Sequence, residues 1–322
     1  MWDGMAYDPE LNLIYVATGN GPREAGLQQG SGPLVSKDHL YTASILAVNA
    51  DTGSLKWHFQ MVPGEIWDYD GVQQLTLADL TINGRRRAVI MQANKNGFFY
   101  VLDRATGQFI SGNPFSRLTW AKGLDQLGRP IENPEARNNS GPLTIRPGGN
   151  GAHNTAAMSF SPLSGLVYIP TTTNSAFAYF AGRNVRGLVP TRPEPPAIGP
   201  APPTWQDALV AWDPVRQEMR WRTEGGGAIT GGTLTTASNL VFQTIRDGRL
   251  LAYTAGKGEK LLDIQTGLEE GRRSGGGMGP PITYLLNGKQ FIAFMGGTGQ
   301  IAGATQDPPP AAPKLVAYAL PN

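Results

Sequence analysis

Two carboxylates stand two positions apart in the run Gly64-Glu65-Ile66-Trp67-Asp68-Tyr69-Asp70-Gly71. On an extended strand Asp68 and Asp70 would point to one face. Like charges so placed repel unless a proton or a cation separates them, and a hard cation with oxygen ligands is the natural partner. The same run also reads as a polar Asp-x-Asp-Gly turn. Asn20, in Ala17-Thr18-Gly19-Asn20-Gly21, either offers a neutral amide oxygen to a metal or simply tolerates a left-handed turn. Lys95 precedes the Asn96-Gly97 turn, as a solvated lysine or as a cation aimed into a pocket, and its immediate neighbours carry no acid. Gly151-Ala152-His153-Asn154 is a plain loop or a place where backbone approaches a ligand closely. Trp2 is a flat platform if it faces a pocket and a core residue otherwise.

Such residues need a frame, and the frame reads as all-β. Helical periodicity is scarce. Short runs of β-formers, such as Leu13-Ile14-Tyr15-Val16, Phe98-Phe99-Tyr100-Val101-Leu102 and Leu166-Val167-Tyr168-Ile169, are bounded by turn residues. Asn83-Gly84, Asn96-Gly97, Asp247-Gly248 and Asn287-Gly288 supply the positive φ that tight hairpins require. Gly (42) and Pro (26) exceed their usual share of the 322 residues, in keeping with many turns. They gather in polar segments at 21–42, 111–150, 183–206 and 265–280, read as loops.

The pattern repeats. Met5 through Tyr15 matches Met158 through Tyr168, with Met, Pro, Leu and Tyr in the same relative places. Asn96-Gly97 through Asp103 and Gly107 resembles Asp247-Gly248 through Thr254 and Gly258. A third unit ends on a tryptophan: Ala47, Asn49, Thr52, Gly53, Trp57, with a weaker copy at Ala211, Asp213, Trp221. Its indole is expected to cover the neighbouring sheet. Repeated four-stranded antiparallel sheets make a propeller, and roughly four to five blades fit the length at about 40–50 residues each.

Several classes fall away. The formal charge is +2 with no long basic or acidic block, so no nucleic-acid partner is expected. There is no cysteine, hence no disulfide, thiolate metal site or c-type haem attachment. No apolar run is long enough for a transmembrane helix.

The ordered landmarks Trp2-Asp3-Gly4-Met5-Ala6-Tyr7-Asp8-Pro9, Thr18-Gly19-Asn20-Gly21, Trp67-Asp68-Tyr69, Asn94-Lys95-Asn96-Gly97-Phe98-Phe99-Tyr100 and Gly151-Ala152-His153-Asn154 resemble the methanol/ethanol family of PQQ-dependent (quinoprotein) dehydrogenases. The resemblance runs over nearly the whole chain. It implies about half of an eight-bladed propeller, a single domain over 1–322 that begins in mid-fold. It implies oxidation of a primary alcohol to an aldehyde, with metal-assisted hydride transfer to PQQ. Trp2 would stack on the quinone, and Lys95 and Asn154 would contact it. Asn20, Asp68 and Asp70 would hold the metal, and Asp68 would be the catalytic base.

The metal implied is calcium or a lanthanide, and Asp70 favours the lanthanide, because relatives that use lanthanides carry an acid at that place. The family's partners are a small alcohol and a separate electron acceptor such as a cytochrome c, in the periplasm. The family's early blades carry a glutamate metal ligand and a vicinal disulfide that are absent here, so the isolated chain is expected to bind PQQ weakly. Thr155 stands where a tryptophan is frequent. Two rival readings are a non-catalytic scaffold built from the same repeat and a sugar-oxidising quinoprotein.

Overall fold

The structure, a computed structural model, describes residues 4–20, 38–137, 141–180, 183–184, 189–204, 207–229, 231–267, 278–296 and 314–319. Its strands are antiparallel wherever their pairing is defined, and the chain divides into two compact units. One holds 1–154, 172–206 and 214–218; the other holds 155–171, 207–213 and 219–322.

In the first unit, β1 (Met5–Asp8), β2 (Leu13–Ala17), β3 (Ser44–Asn49) and β4 (Leu55–Gln60) form one meander, paired in chain order. β5 (Thr76–Ile82), β6 (Arg85–Ala93), β7 (Phe98–Asp103) and β8 (Phe109–Pro114) form a second. Leu13, Tyr15 and Ala17 are buried while Ile14 and Val16 between them are only partly so, the two-residue alternation of a sheet with one face on the core. The first five residues of β7 are all buried. Asn83 and Gly84 both take positive φ, 51° and 74°, as the two-residue turn between β5 and β6 requires. The basic run Arg85-Arg86-Arg87 opens β6 at that hairpin, where Arg86 pairs with Asp79 at 2.6 Å on the surface.

The segment 111–150, read from the sequence as loop, carries more structure than expected. β9 (Ala121–Leu124) pairs with β10 (Pro130–Glu132), followed by one helical turn, α1 (Pro134–Arg137). β11 (Leu143–Ile145) pairs with β14 (Phe177–Phe180), which pairs with β15 (Arg183–Asn184). These elements are too short to show periodicity and are stabilised by packing: Trp120, Leu143 and Ile145 join the core of the first unit. Residues 190–204, rich in proline and expected as a surface loop, return to this layer, Ile198 exchanging backbone hydrogen bonds with Leu118 at 2.9 Å.

The second unit repeats the scheme with β12 (Ser159–Ser161), β13 (Leu166–Thr172), β16 (Asp207–Asp213) and β17 (Glu218–Glu224). A further meander is β18 (Gly232–Thr235), β19 (Leu240–Thr244), β20 (Arg249–Thr254) and β21 (Lys260–Gln265). β22 (Ile282–Leu286), β23 (Lys289–Gly296) and β24 (Lys314–Ala319) form a three-stranded sheet.

The internal repeat is physical. In the first unit Tyr15 Oη and the Trp57 indole N–H both donate to the Arg104 carbonyl, at 2.7 and 3.3 Å. In the second, Tyr168 Oη and the Trp221 indole N–H donate to the Ala255 carbonyl, at 2.9 and 3.0 Å. Gly107 and Gly258 lie under the two indoles, at φ of +73° and +71°. A methyl group added there would meet the ring at 2.5 and 2.7 Å. The tryptophan of one meander thus covers the turn of the next, as the sequence repeat predicts.

Candidate active site

The site is built where β2 ends, where the segment after β4 turns, and where β6 leads into β7. The Thr18 carbonyl accepts from Gly71 N–H at 2.8 Å and the Gly19 carbonyl from Ala43 N–H at 2.8 Å, which carries Asn20 to the Asp68 turn. Asn20 Nδ2 donates to Asp68 Oδ1 at 2.6 Å. Lys95 Nζ donates to both oxygens of Asp70, at 3.1 and 3.4 Å, and lies 3.6 Å from Asp68 Oδ2. Asn20, Asp68, Asp70 and Lys95 therefore form one cluster, although Lys95 lies 25 residues beyond Asp70 in the chain.

The carboxylates converge, but not by strand alternation. Residues 64–75 form no strand, and Asp68 sits at φ +71°, in the left-handed region. Of the two readings of this run, the turn is the one the chain adopts, stabilised by anchors on both sides. Trp67 is buried, donates its indole N–H to the Ala136 carbonyl at 3.4 Å, and carries the Arg137 guanidinium 4.5 Å above its ring. Tyr69 is buried and donates its hydroxyl to the Pro147 carbonyl at 2.6 Å.

A buried amide network fixes the distance from this turn to Lys95. Gln92 Nε2 donates to the carbonyls of Gly71 and Gln73, both at 2.7 Å. Asn94 Nδ2 donates to Gln92 Oε1 at 2.9 Å and to Gln73 Oε1 at 3.1 Å. Gln73 Oε1 also accepts the Lys95 backbone N–H at 3.1 Å. Gln73, Gln92 and Asn94 are fully buried, where polar groups persist when bonded to one another. The sequence reading gave no role to them or to Glu65; the signal for Gln92 and Asn94 was a pair of amides at the buried end of β6, and Gln73 and Glu65 carried none.

Electrostatics follow burial. The Asp70 side chain has no exposed surface, and that of Lys95 is 5% exposed. Burial raises the Asp70 carboxyl, Lys95 pulls it down, and Asp68 raises it again. Asp68 is the open member, its side chain 40% exposed. One ammonium thus serves two carboxylates, and a neutral amide stands beside them. The two carboxylates and an amide oxygen are the ligand types a hard cation takes, although here Asn20 turns its amide nitrogen to Asp68 and Lys95 spans the carboxylates. Among the described residues no group of three or more Asp, Glu, His or Cys side chains gathers at a metal-sized site, so any cation would rely on Asp68, Asp70 and an amide oxygen.

Asn154 is partly exposed and donates to the Asn150 carbonyl at 3.0 Å. Its loop touches Lys95 through backbone: Ala152 N–H donates to the Lys95 carbonyl at 3.1 Å. A methyl group on Gly151, at φ +81°, would stand 2.1 Å from Lys95 Cγ. Glycine is what lets this loop lie against the lysine. The Lys95 ammonium and the Asn154 amide are donors of the kind quinone oxygens accept. Trp2 lies outside the described residues.

Residues 1–112 match the family model for the glucose/ethanol/alcohol dehydrogenase beta-propeller domain. The chain is 43% identical over 318 residues to quinohemoprotein alcohol dehydrogenase ADH IIB of Pseudomonas putida, covering 95% of this chain and 43% of that protein. It is 42% identical to the quinohemoprotein alcohol dehydrogenase of Comamonas testosteroni, covering 94% and 43%. The crystal structure of the Comamonas enzyme superposes with a TM-score of 0.76 at 40% identity, over 92% of this chain and 44% of that one. A europium-containing methanol dehydrogenase superposes with a TM-score of 0.73 at 30% identity, over 93% and 51%. The chain spans less than half the length of these quinohemoprotein relatives. Its four-stranded antiparallel sheets and its similarity along nearly its whole length together place the chain in the PQQ-dependent alcohol dehydrogenase family, with the all-β fold of a partial β-propeller.

Proposed function

We propose that the chain carries the base, metal and quinone-facing residues of a PQQ-dependent alcohol dehydrogenase that oxidises a primary alcohol to an aldehyde. The observation that supports this reading is the linked set in which Asn20 meets Asp68, and Asp68 and Asp70 both meet Lys95. Asp68, the exposed carboxylate, takes the alcohol's hydroxyl proton as general base. Lys95, held by Asp70, presents a fixed ammonium toward the quinone oxygens. Trp2 is the stacking platform, and Asn154 adds a further donor. Asn20, Asp68 and Asp70 are the residues that would hold the cation. When bound, PQQ supplies the two-electron acceptor and the cation the polarisation of its carbonyl.

Asp70 adds a second anionic ligand, which suits a trivalent ion; the europium-containing methanol dehydrogenase among the structural relatives supports a lanthanide over calcium. A relative from Thauera butanivorans, 40% identical, is a 1-butanol dehydrogenase (cytochrome c). That name supports a small alcohol as substrate and a cytochrome c as acceptor; a separate acceptor protein and the periplasm as compartment are carried by the family resemblance alone. No helix among the described residues is long and apolar enough to cross a membrane. Residues 1–322 are proposed to act as one propeller domain.

Terbium luminescence sensitised by the protein's tryptophans tests the site directly. Binding is expected to weaken at least about tenfold in Asp70→Asn and in Asp68→Asn, and calcium to compete poorly. With PQQ and metal supplied, Asp68→Asn is expected to lower kcat by about 10²–10⁴. Unchanged terbium affinity in both variants would remove the metal reading, and full turnover by Asp68→Asn would remove the base.

A further inference from the structure

Asp68 sits in the left-handed region, at φ +71°, which residues with a side chain enter seldom and Asp and Asn more readily than most. It is also the exposed carboxylate of the cluster. The group that braces this turn is Glu65. One of its oxygens, Oε1, accepts the Trp67 N–H at 2.6 Å and the Tyr69 N–H at 2.8 Å, the amides on either side of Asp68. Two N–H groups can close on a single acceptor oxygen only if the chain between them curls, the geometry of a backbone nest. Here the acceptor is a side chain of the same chain. These two bonds end on main-chain N–H groups rather than on the Asn20 amide or the Lys95 ammonium, so the hold of Glu65 on Asp68 passes through backbone.

We propose that Glu65 is a positioning residue for Asp68, its Oε1 locking the left-handed turn that aims the Asp68 carboxylate at Asn20 and Lys95. The kinetic consequence rests on the reading of Asp68 as base; the conformational one does not. Trp67 and Tyr69 are anchored by their rings, but ring anchors leave the intervening peptides free to rotate. The shared carboxylate oxygen removes that freedom. The partly buried Glu65 carboxyl is pushed up to about 7 by burial, against the pull of the two N–H groups, with Asp68 and Asp70 adding to the rise.

A cofactor-free comparison reads the conformation. Glycine enters the left-handed region freely and alanine does not, and neither carries charge. Asp68→Gly is therefore expected to unfold at higher urea than Asp68→Ala while Glu65 holds the turn. With Glu65→Ala added to both, that advantage should fall by at least half; an undiminished advantage overturns the proposal. Glu65→Gln keeps an accepting oxygen and should preserve the advantage, so its collapse in this variant also overturns the proposal, and this arm remains readable if Glu65→Ala fails to fold. In the protein supplied with PQQ and metal, Glu65→Ala should lower kcat at least tenfold with KM within twofold, and Glu65→Gln should recover kcat to within threefold. Parent-like kcat in Glu65→Ala, or Glu65→Gln as slow as Glu65→Ala, counts against it. Full activity in Asp68→Asn would sink the base assignment alone and leave the urea comparison standing.

Discussion

Replacing Lys95 by methionine isolates the electrostatics of the cluster, because methionine keeps most of the length of the side chain and removes its charge. Asp70 has no exposed side-chain surface and Lys95 only 5%, which puts the pair in the class where losing one partner costs about 3–5 kcal/mol. The contact to Asp68, at 3.6 Å and 40% exposed, adds less than about 1 kcal/mol. At a urea slope of about 2–3 kcal/mol per molar, the midpoint should fall by about 1–2.5 M. Asp70→Asn on its own should also destabilise. The double variant should then lose much less than the sum, since the uncompensated charge is gone. Adding lanthanum or calcium to Lys95→Met should restore part of the loss, because a cation can replace the ammonium between the two carboxylates. Urea unfolding followed by tryptophan fluorescence reads all three. A loss under about 1 kcal/mol in Lys95→Met, or strict additivity in the double variant, would refute the claim that Lys95 and Asp70 stabilise one another in the interior.

Two further outcomes follow from the geometry. A carboxyl raised from its ordinary 4.5 to about 7 binds its proton more tightly folded than unfolded, so Glu65 contributes stability that is fully present below pH 4.5 and fades as pH rises toward 7. The effect is on the order of 3 kcal/mol at most, and a Glu65→Gln variant should lack that part of the slope in urea titrations from pH 5 to 7.5. Gly258→Ala would force a methyl group to within 2.7 Å of the Trp221 ring at φ +71°, and should cost about 1–3 kcal/mol. Gly256→Ala, two residues away with open space around it, should differ little from the parent in the same thermal melt.

Much of the fold was legible because its signals are local. The Asn83-Gly84 and Asn287-Gly288 turns carry their own backbone preference, and both take positive φ at both residues. The Tyr15–Trp57 and Tyr168–Trp221 units could be found by self-comparison because each reuses the same hydrogen-bond acceptor position. What was hidden depends on distance in the chain. No neighbour of Lys95 in sequence is acidic, and its partner arrives only through the register of β6 against the segment after β4, set by Gln92 and Gln73. The Asp68 turn was legible as an Asp-x-Asp-Gly pattern, but its anchors were not, because Glu65 and the two rings act through contacts the pattern does not show. The three-residue strands β10 and β11 have no periodicity to read and exist because Trp120 and its neighbours need cover.

The paired indole and glycine recur with the same carbonyl between them in each unit. In each joint one meander brings a plug, the tryptophan on its last strand, and the following meander a socket, the glycine turn before its own last strand. The two halves of the joint are free to diverge only together. A bulkier residue in any socket would be tolerated in evolution only where the matching plug had already shrunk.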